Sequence, residues 1–77
     1  MTKQNLSRDV LDKLITFQKD EVNSAAIYNR IAKIIPDRVN ADVLLQIAAE
    51  EEKHAARWEA VTGKHIAPSF FFVSFFV

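Results

Sequence analysis

Residues 44–58 read Leu-Leu-Gln-Ile-Ala-Ala-Glu-Glu-Glu-Lys-His-Ala-Ala-Arg-Trp, with neither proline nor glycine. Within that run Leu44, Ile47, Glu51, His54 and Trp58 recur at steps of three and four, the spacing of one helix face. Two members of the stripe, Glu51 and His54, are polar where a core side chain is expected. Upstream, a second stripe runs Leu6, Val10, Leu14, Phe17, Ala25, Tyr28, Ala32 and Ile35, and Glu21 falls in its middle, four residues from Phe17 and four from Ala25. A lone ionised carboxylate on such a face costs several kcal/mol or more unless it is paired. Two carboxylates and an imidazole, each out of place in the same way, point to a shared cause, and a bound cation is one.

The punctuation between the stripes predicts two helices. Asn5 or Ser7 can cap the first, which the pattern carries from about residue 7 to 35. Pro36 stops it, because the residue before proline is driven out of helical geometry. After the short stretch 36–40, Asn40 reads as the cap of a second helix over about 41–62, with Asp42 in its first turn. Gly63, the one glycine in the chain, suits a left-handed cap at its end. So short a connection makes the helices antiparallel. The expected fold is all-α, a helical hairpin over 1–68 followed by an apolar tail over 69–77.

Size turns this hairpin toward self-association. The 77 residues are 49% apolar, which is ordinary for a folded chain, and they make at most one small domain, near the lower end of what folds alone. Two helices enclose no centre, and with no cysteine there is no disulfide to compensate. A two-fold homodimer forming a four-helix bundle, or a higher homo-oligomer, is the simplest closure. Glu21 lies about midway along the first helix, and Glu51 and His54 about midway along the second. A dimer then gathers four carboxylates and two imidazoles, the ligand set of a carboxylate-bridged two-metal site.

Composition narrows the chemistry further. Ten Lys and Arg balance ten Asp and Glu with no basic block, which argues against nucleic acid as a partner. The absence of cysteine excludes thiolate zinc and Cys-ligated iron, and fits a reducing compartment. The residues after Met1 show no apolar signal region, so the expected location is cytoplasmic. Oxygen and nitrogen ligands without sulfur suit iron, manganese or zinc.

The order of a first-helix Glu followed by Glu-x-x-His resembles that of the rubrerythrin-like, ferritin-like superfamily. It is carried by Glu21, by Tyr28 seven residues on, and by Ala48-Ala49-Glu50-Glu51-Glu52-Lys53-His54 followed by Trp58. Residues 17–31 and 47–58, with the Thr62-Gly63 ending, look most like the N-terminal ferritin-like domain of iron and manganese transporters of the vacuolar-iron-transporter type. The likeness covers about residues 10–68 and a single helical-hairpin repeat. It implies di-iron binding at Glu21, Glu51 and His54, with ferroxidase activity or metal capture for a membrane domain in a longer parent chain. Two departures stand beside it. A chain without cysteine has no rubredoxin-like centre, and residues 69–77, holding five of the six phenylalanines, stand where the resembling transporters would enter their membrane domain. Nine residues are too few to span a bilayer, which takes about 20 in a helix. That tail reads as a remnant, an altered end, or a strand-like flap.

Each residue also has a plainer role. Glu21 reads alternatively as a core carboxylate neutralised by Lys or Arg, Glu51 as a solvated member of the acidic run, and His54 as a hydrogen-bonded core histidine. Glu50 and Glu52 should face solvent, Tyr28 and Trp58 should pack, and Asp20, about 100° around the helix from Glu21, should lie off the site. His65, beyond Gly63, is not expected to be a ligand. The competing function is a metal-free helical-hairpin dimerisation or interaction module, whose embedded charges pair with each other or with basic groups. No Lys or Arg falls on the stripes at the matching level. Haem between symmetry-related histidines fits less well, because carboxylates line an apolar macrocycle poorly.

Overall fold

The computed structural model describes residues 6–69 and 73–74. Two helices account for most of them, α1 over Arg8–Ile34 and α2 over Arg38–Thr62. Ser7 caps α1, its Oγ accepting from the Val10 amide at 3.2 Å. Asn5, the alternative cap, lies outside the described residues. At the other end Ile35 is extended, ψ 140°, as the residue before Pro36 must be.

Helix α2 starts earlier than its sequence pattern predicts, at Arg38 rather than Ala41, and its cap is Asp37 rather than Asn40. The Asp37 carboxylate accepts from the Val39 and Asn40 amides at 2.9 and 3.1 Å, satisfying two donors that an opening turn leaves free. Asn40 becomes a helical residue whose Nδ2 donates back to Asp37 at 3.2 Å. At the far end Gly63 takes the left-handed cap, φ 73° and ψ 13°, as its position predicts.

Cross-helix contacts pair Gln18 with Thr62, Glu21 with His54, and Asn29 with Glu52, so α2 descends as α1 rises. The hairpin is antiparallel. Its seam is not the broad apolar stripe. Buried positions on α1 are Gln18, Ala25 and Ala32; those on α2 are Ala41, Ala48, Ala55 and Thr62. Both sets repeat every seven residues, the period that keeps one side of each helix on its neighbour. Of the first-helix stripe only Ala25 and Ala32 are buried, whereas Val10 and Phe17 are 44% and 51% exposed; Ile47 of the second stripe is 40% exposed. Small side chains fill the line of closest approach, which displaces the larger ones to its flanks.

The segment after Gly63 turns back along α1. The Lys64 carbonyl accepts from Gln18 Nε2, and the Ser69 amide donates to Asn23 Oδ1 at 2.7 Å. Val73, whose amide donates to the Ser69 carbonyl at 2.9 Å, is 7% exposed. The rest of the phenylalanine-rich tail, and its strand-like reading, lie outside the described residues. The molecule measures 47 × 22 × 14 Å. Among the described residues, no helix is long and apolar enough to cross a membrane.

An alanine seam is intolerant of bulk. Ala48→Leu should lower stability by about 1–3 kcal/mol in urea denaturation, because the helices must separate to admit the side chain. An unchanged midpoint would place the seam elsewhere.

Candidate metal centre

Glu51 and His54 stand one turn apart on α2 and therefore project on the same side. Glu21 meets them from α1 across the flank of the seam. His54 Nδ1 lies 2.9 Å from Glu21 Oε2 and 3.3 Å from Glu51 Oε1. All three residues can offer a ligand atom within 4.8 Å of the other two. The three residues singled out by sequence converge on one point. They are half-buried on a flank rather than sealed in a core, with side chains 21%, 25% and 43% exposed for Glu21, Glu51 and His54.

Two carboxylate oxygens facing one nitrogen fix the hydrogen between them. With both carboxylates ionised Nδ1 carries it, because an unprotonated nitrogen would set acceptor against acceptor. One N–H cannot satisfy every oxygen present. Glu21 Oε1 is buried and has no hydrogen-bond partner among the described residues. Leaving such an acceptor unmet costs roughly 1–3 kcal/mol. Charge is unbalanced too: even an imidazolium neutralises one carboxylate of the two. An excess of anionic oxygen, one orphaned lone-pair donor and an imidazole together fit a hard or borderline divalent cation. Three protein donors leave further coordination positions to be filled from outside the chain.

Above the trio is an open cleft of about 580 Å³, lined by Phe17, Asp20, Glu21, His54, Arg57, Trp58 and Val61. Phe17 and Trp58 form its aromatic wall, ring centroids 6.2 Å apart and tilted by 43°, a separation at which such pairs attract. Glu50 and Glu52 turn away from it, as expected, toward Lys53 at 3.3 Å and Asn29 at 3.4 Å. His65 pairs with Glu59 at 3.1 Å, outside the trio. Tyr28 makes no hydrogen bond to either ligand carboxylate among the described residues. Asp20 is no member of the trio but does border the cleft.

Arg57 escaped the sequence reading, which found no basic residue at this level. Its place three residues after His54 was the available signal. It is exposed at the rim and forms no ion pair among the described residues, so the carboxylates are not neutralised by it. Comparison with protein-family models, curated proteins and solved structures returns no match to the chain. The functional reading therefore rests on the side chains themselves.

If the trio exists to hold a cation, it is a source of instability without one. With chelator present, Glu21→Leu should raise the thermal midpoint by roughly 4–8 °C, corresponding to about 1 kcal/mol. A fall of that size would instead mark Glu21 as a structural partner of His54.

Proposed function

We propose that the chain is one half of a metal-binding homodimer, a ferritin-like four-helix bundle in which paired Glu21, Glu51 and His54 hold a carboxylate-bridged pair of metal ions. The observation that carries this reading is the placement of His54 Nδ1 between two carboxylates, beside the buried and unpartnered Glu21 Oε1. Iron is the first choice, from the resemblance of the Glu and Glu-x-x-His order to rubrerythrin-like proteins; manganese and zinc share the ligand preference.

The open face supports a second copy as the missing half. Asn23, which anchors the returning segment at Ser69, is two residues from Glu21 and so about 200° around α1. That segment covers the side opposite the trio. The trio's own side keeps Val10, Phe17, Val43 and Ile47 exposed at 40–51%. Two such faces meeting about a two-fold axis bury this surface and bring the second trio to the first.

Within the dimer the carboxylates neutralise the cations, and His54 supplies nitrogen in place of its Nδ1 proton. Phe17 and Trp58 restrict water at the mouth. Bound iron would supply redox chemistry toward dioxygen or peroxide. The task is metal capture in a reducing, cytoplasmic setting. Oxidation of iron(II) is its enzymatic form, and hand-over to a membrane transport domain of a longer chain is its non-enzymatic one.

A metal-free dimerisation module is the second reading, favoured by one fact: His54 Nδ1 lies within hydrogen-bond distance of both Glu21 and Glu51, so the three groups can partner one another directly. Anaerobic titration of chelator-stripped protein with iron(II) separates the two. Saturation near one metal per chain is expected, with His54→Ala weakening binding by at least about tenfold and Phe17→Asp yielding monomers that lose the metal. A dimer that takes up no iron, cobalt, manganese or zinc, and whose stability is unchanged when they are added, establishes the second reading.

A further inference from the structure

Gln18 is the largest fully buried side chain of the hairpin among the described residues, 0% exposed, on a seam otherwise made of alanine and Thr62. Its amide is fully engaged. Nε2 donates to the Lys64 carbonyl at 2.7 Å, and Oε1 accepts from the Thr62 hydroxyl at 2.8 Å. The Lys64 amide in turn donates to Thr62 Oγ1 at 3.2 Å, closing a ring of three hydrogen bonds. Gly63 makes the ring feasible, because its left-handed turn brings both the amide and the carbonyl of Lys64 back over the end of α2.

Alanine methyls carry no axial information. Ala25 and Ala32 facing Ala41, Ala48 and Ala55 make a uniform seven-residue repeat, so a register shifted by one repeat, about 10.5 Å, again sets alanine against alanine. A buried polar pair differs, because it is satisfied in one register and left unmet in every other. Gln18–Thr62 is the one buried side-chain hydrogen bond between the helices among the described residues. Glu21 stands three residues, one turn, beyond Gln18. A slide of even one helical turn, about 5.4 Å, carries the 2.9 Å Glu21–His54 contact well outside hydrogen-bond range.

We infer that Gln18 is the positioning residue of the Glu21–Glu51–His54 centre, acting through Thr62 and Lys64 to fix the axial register that brings the trio together. In its metal-binding consequence the inference rests on the function proposed above; in its register claim it does not.

The experiment compares the wild-type chain with Thr62→Val, the double variant Gln18→Leu/Thr62→Val, and Thr62→Ser, which retains the hydroxyl. Circular dichroism monitors helix content, NMR reads nuclear Overhauser contacts between the Glu21 methylenes and the His54 ring without metal, and cobalt(II) titration gives affinity. Expected are unchanged helicity, loss of the Glu21–His54 contacts in both valine-bearing variants, cobalt affinity weakened on the order of tenfold, and wild-type values for Thr62→Ser. Folded valine-bearing variants that keep both the contacts and the affinity, losing only stability, overturn the inference. If the double variant does not fold, the near-isosteric Thr62→Val against Thr62→Ser decides by the same readings. Loss of the contacts when even wild-type protein binds no cobalt upholds the register lock and sinks the metal reading alone.

Discussion

Close approach of two helices through alanine is the constraint from which the rest of this molecule follows. With Ala25, Ala32, Ala41, Ala48 and Ala55 on the seam, the backbones can draw together, and no larger apolar side chain fits between them. Bulky apolar residues such as Phe17 and Ile47 are pushed to a flank, and Gln18 is the one large side chain held on the seam among the described residues. One flank is covered by the segment returning from Gly63; the other carries Phe17, Trp58 and the acidic and histidine groups. The site is therefore a product of the packing rather than an addition to it. A broad leucine seam would have buried those positions or spread the helices too far for Glu21 to reach His54.

The same packing explains why polarity is tolerable at Glu21. In a sealed core an orphaned carboxylate oxygen beside a second carboxylate would be prohibitive. On a half-buried flank the penalty is smaller, and a cation entering from the cleft, as proposed, would reverse it. Gln18 obeys the opposite logic: fully buried, it persists because both ends of its amide are satisfied. One polar group is complete and the other incomplete. That contrast separates a structural network from a binding site more sharply than exposure does.

The hairpin, its Ser7 and Gly63 caps, and the convergence of Glu21, Glu51 and His54 were legible in the sequence, because three-and-four spacing and helix punctuation are local signals. The seam was not. Reading the largest apolar residues as the core selected Phe17 and Ile47, whereas the fold buries the smallest. The seven-residue recurrence of Ala41, Ala48, Ala55 and Thr62 was present in the chain but carried little hydrophobic weight. Gln18 was hidden for the same reason, since its partners sit 44 and 46 residues away and one is a backbone carbonyl. The α2 start moved three residues because Asp37, directly after the helix-stopping proline, caps two amides at once.

Crystallographic anomalous scattering at the iron edge, from crystals of iron(II)-loaded protein, tests the central claim most directly. Two peaks per dimer are expected, each within coordination distance of carboxylate oxygens from Glu21 and Glu51 and of His54 Nδ1, with Glu21 Oε1 among the ligands. Featureless anomalous density at the trio, with His54 Nδ1 still 2.9 Å from Glu21 Oε2 and 3.3 Å from Glu51 Oε1, would contradict it.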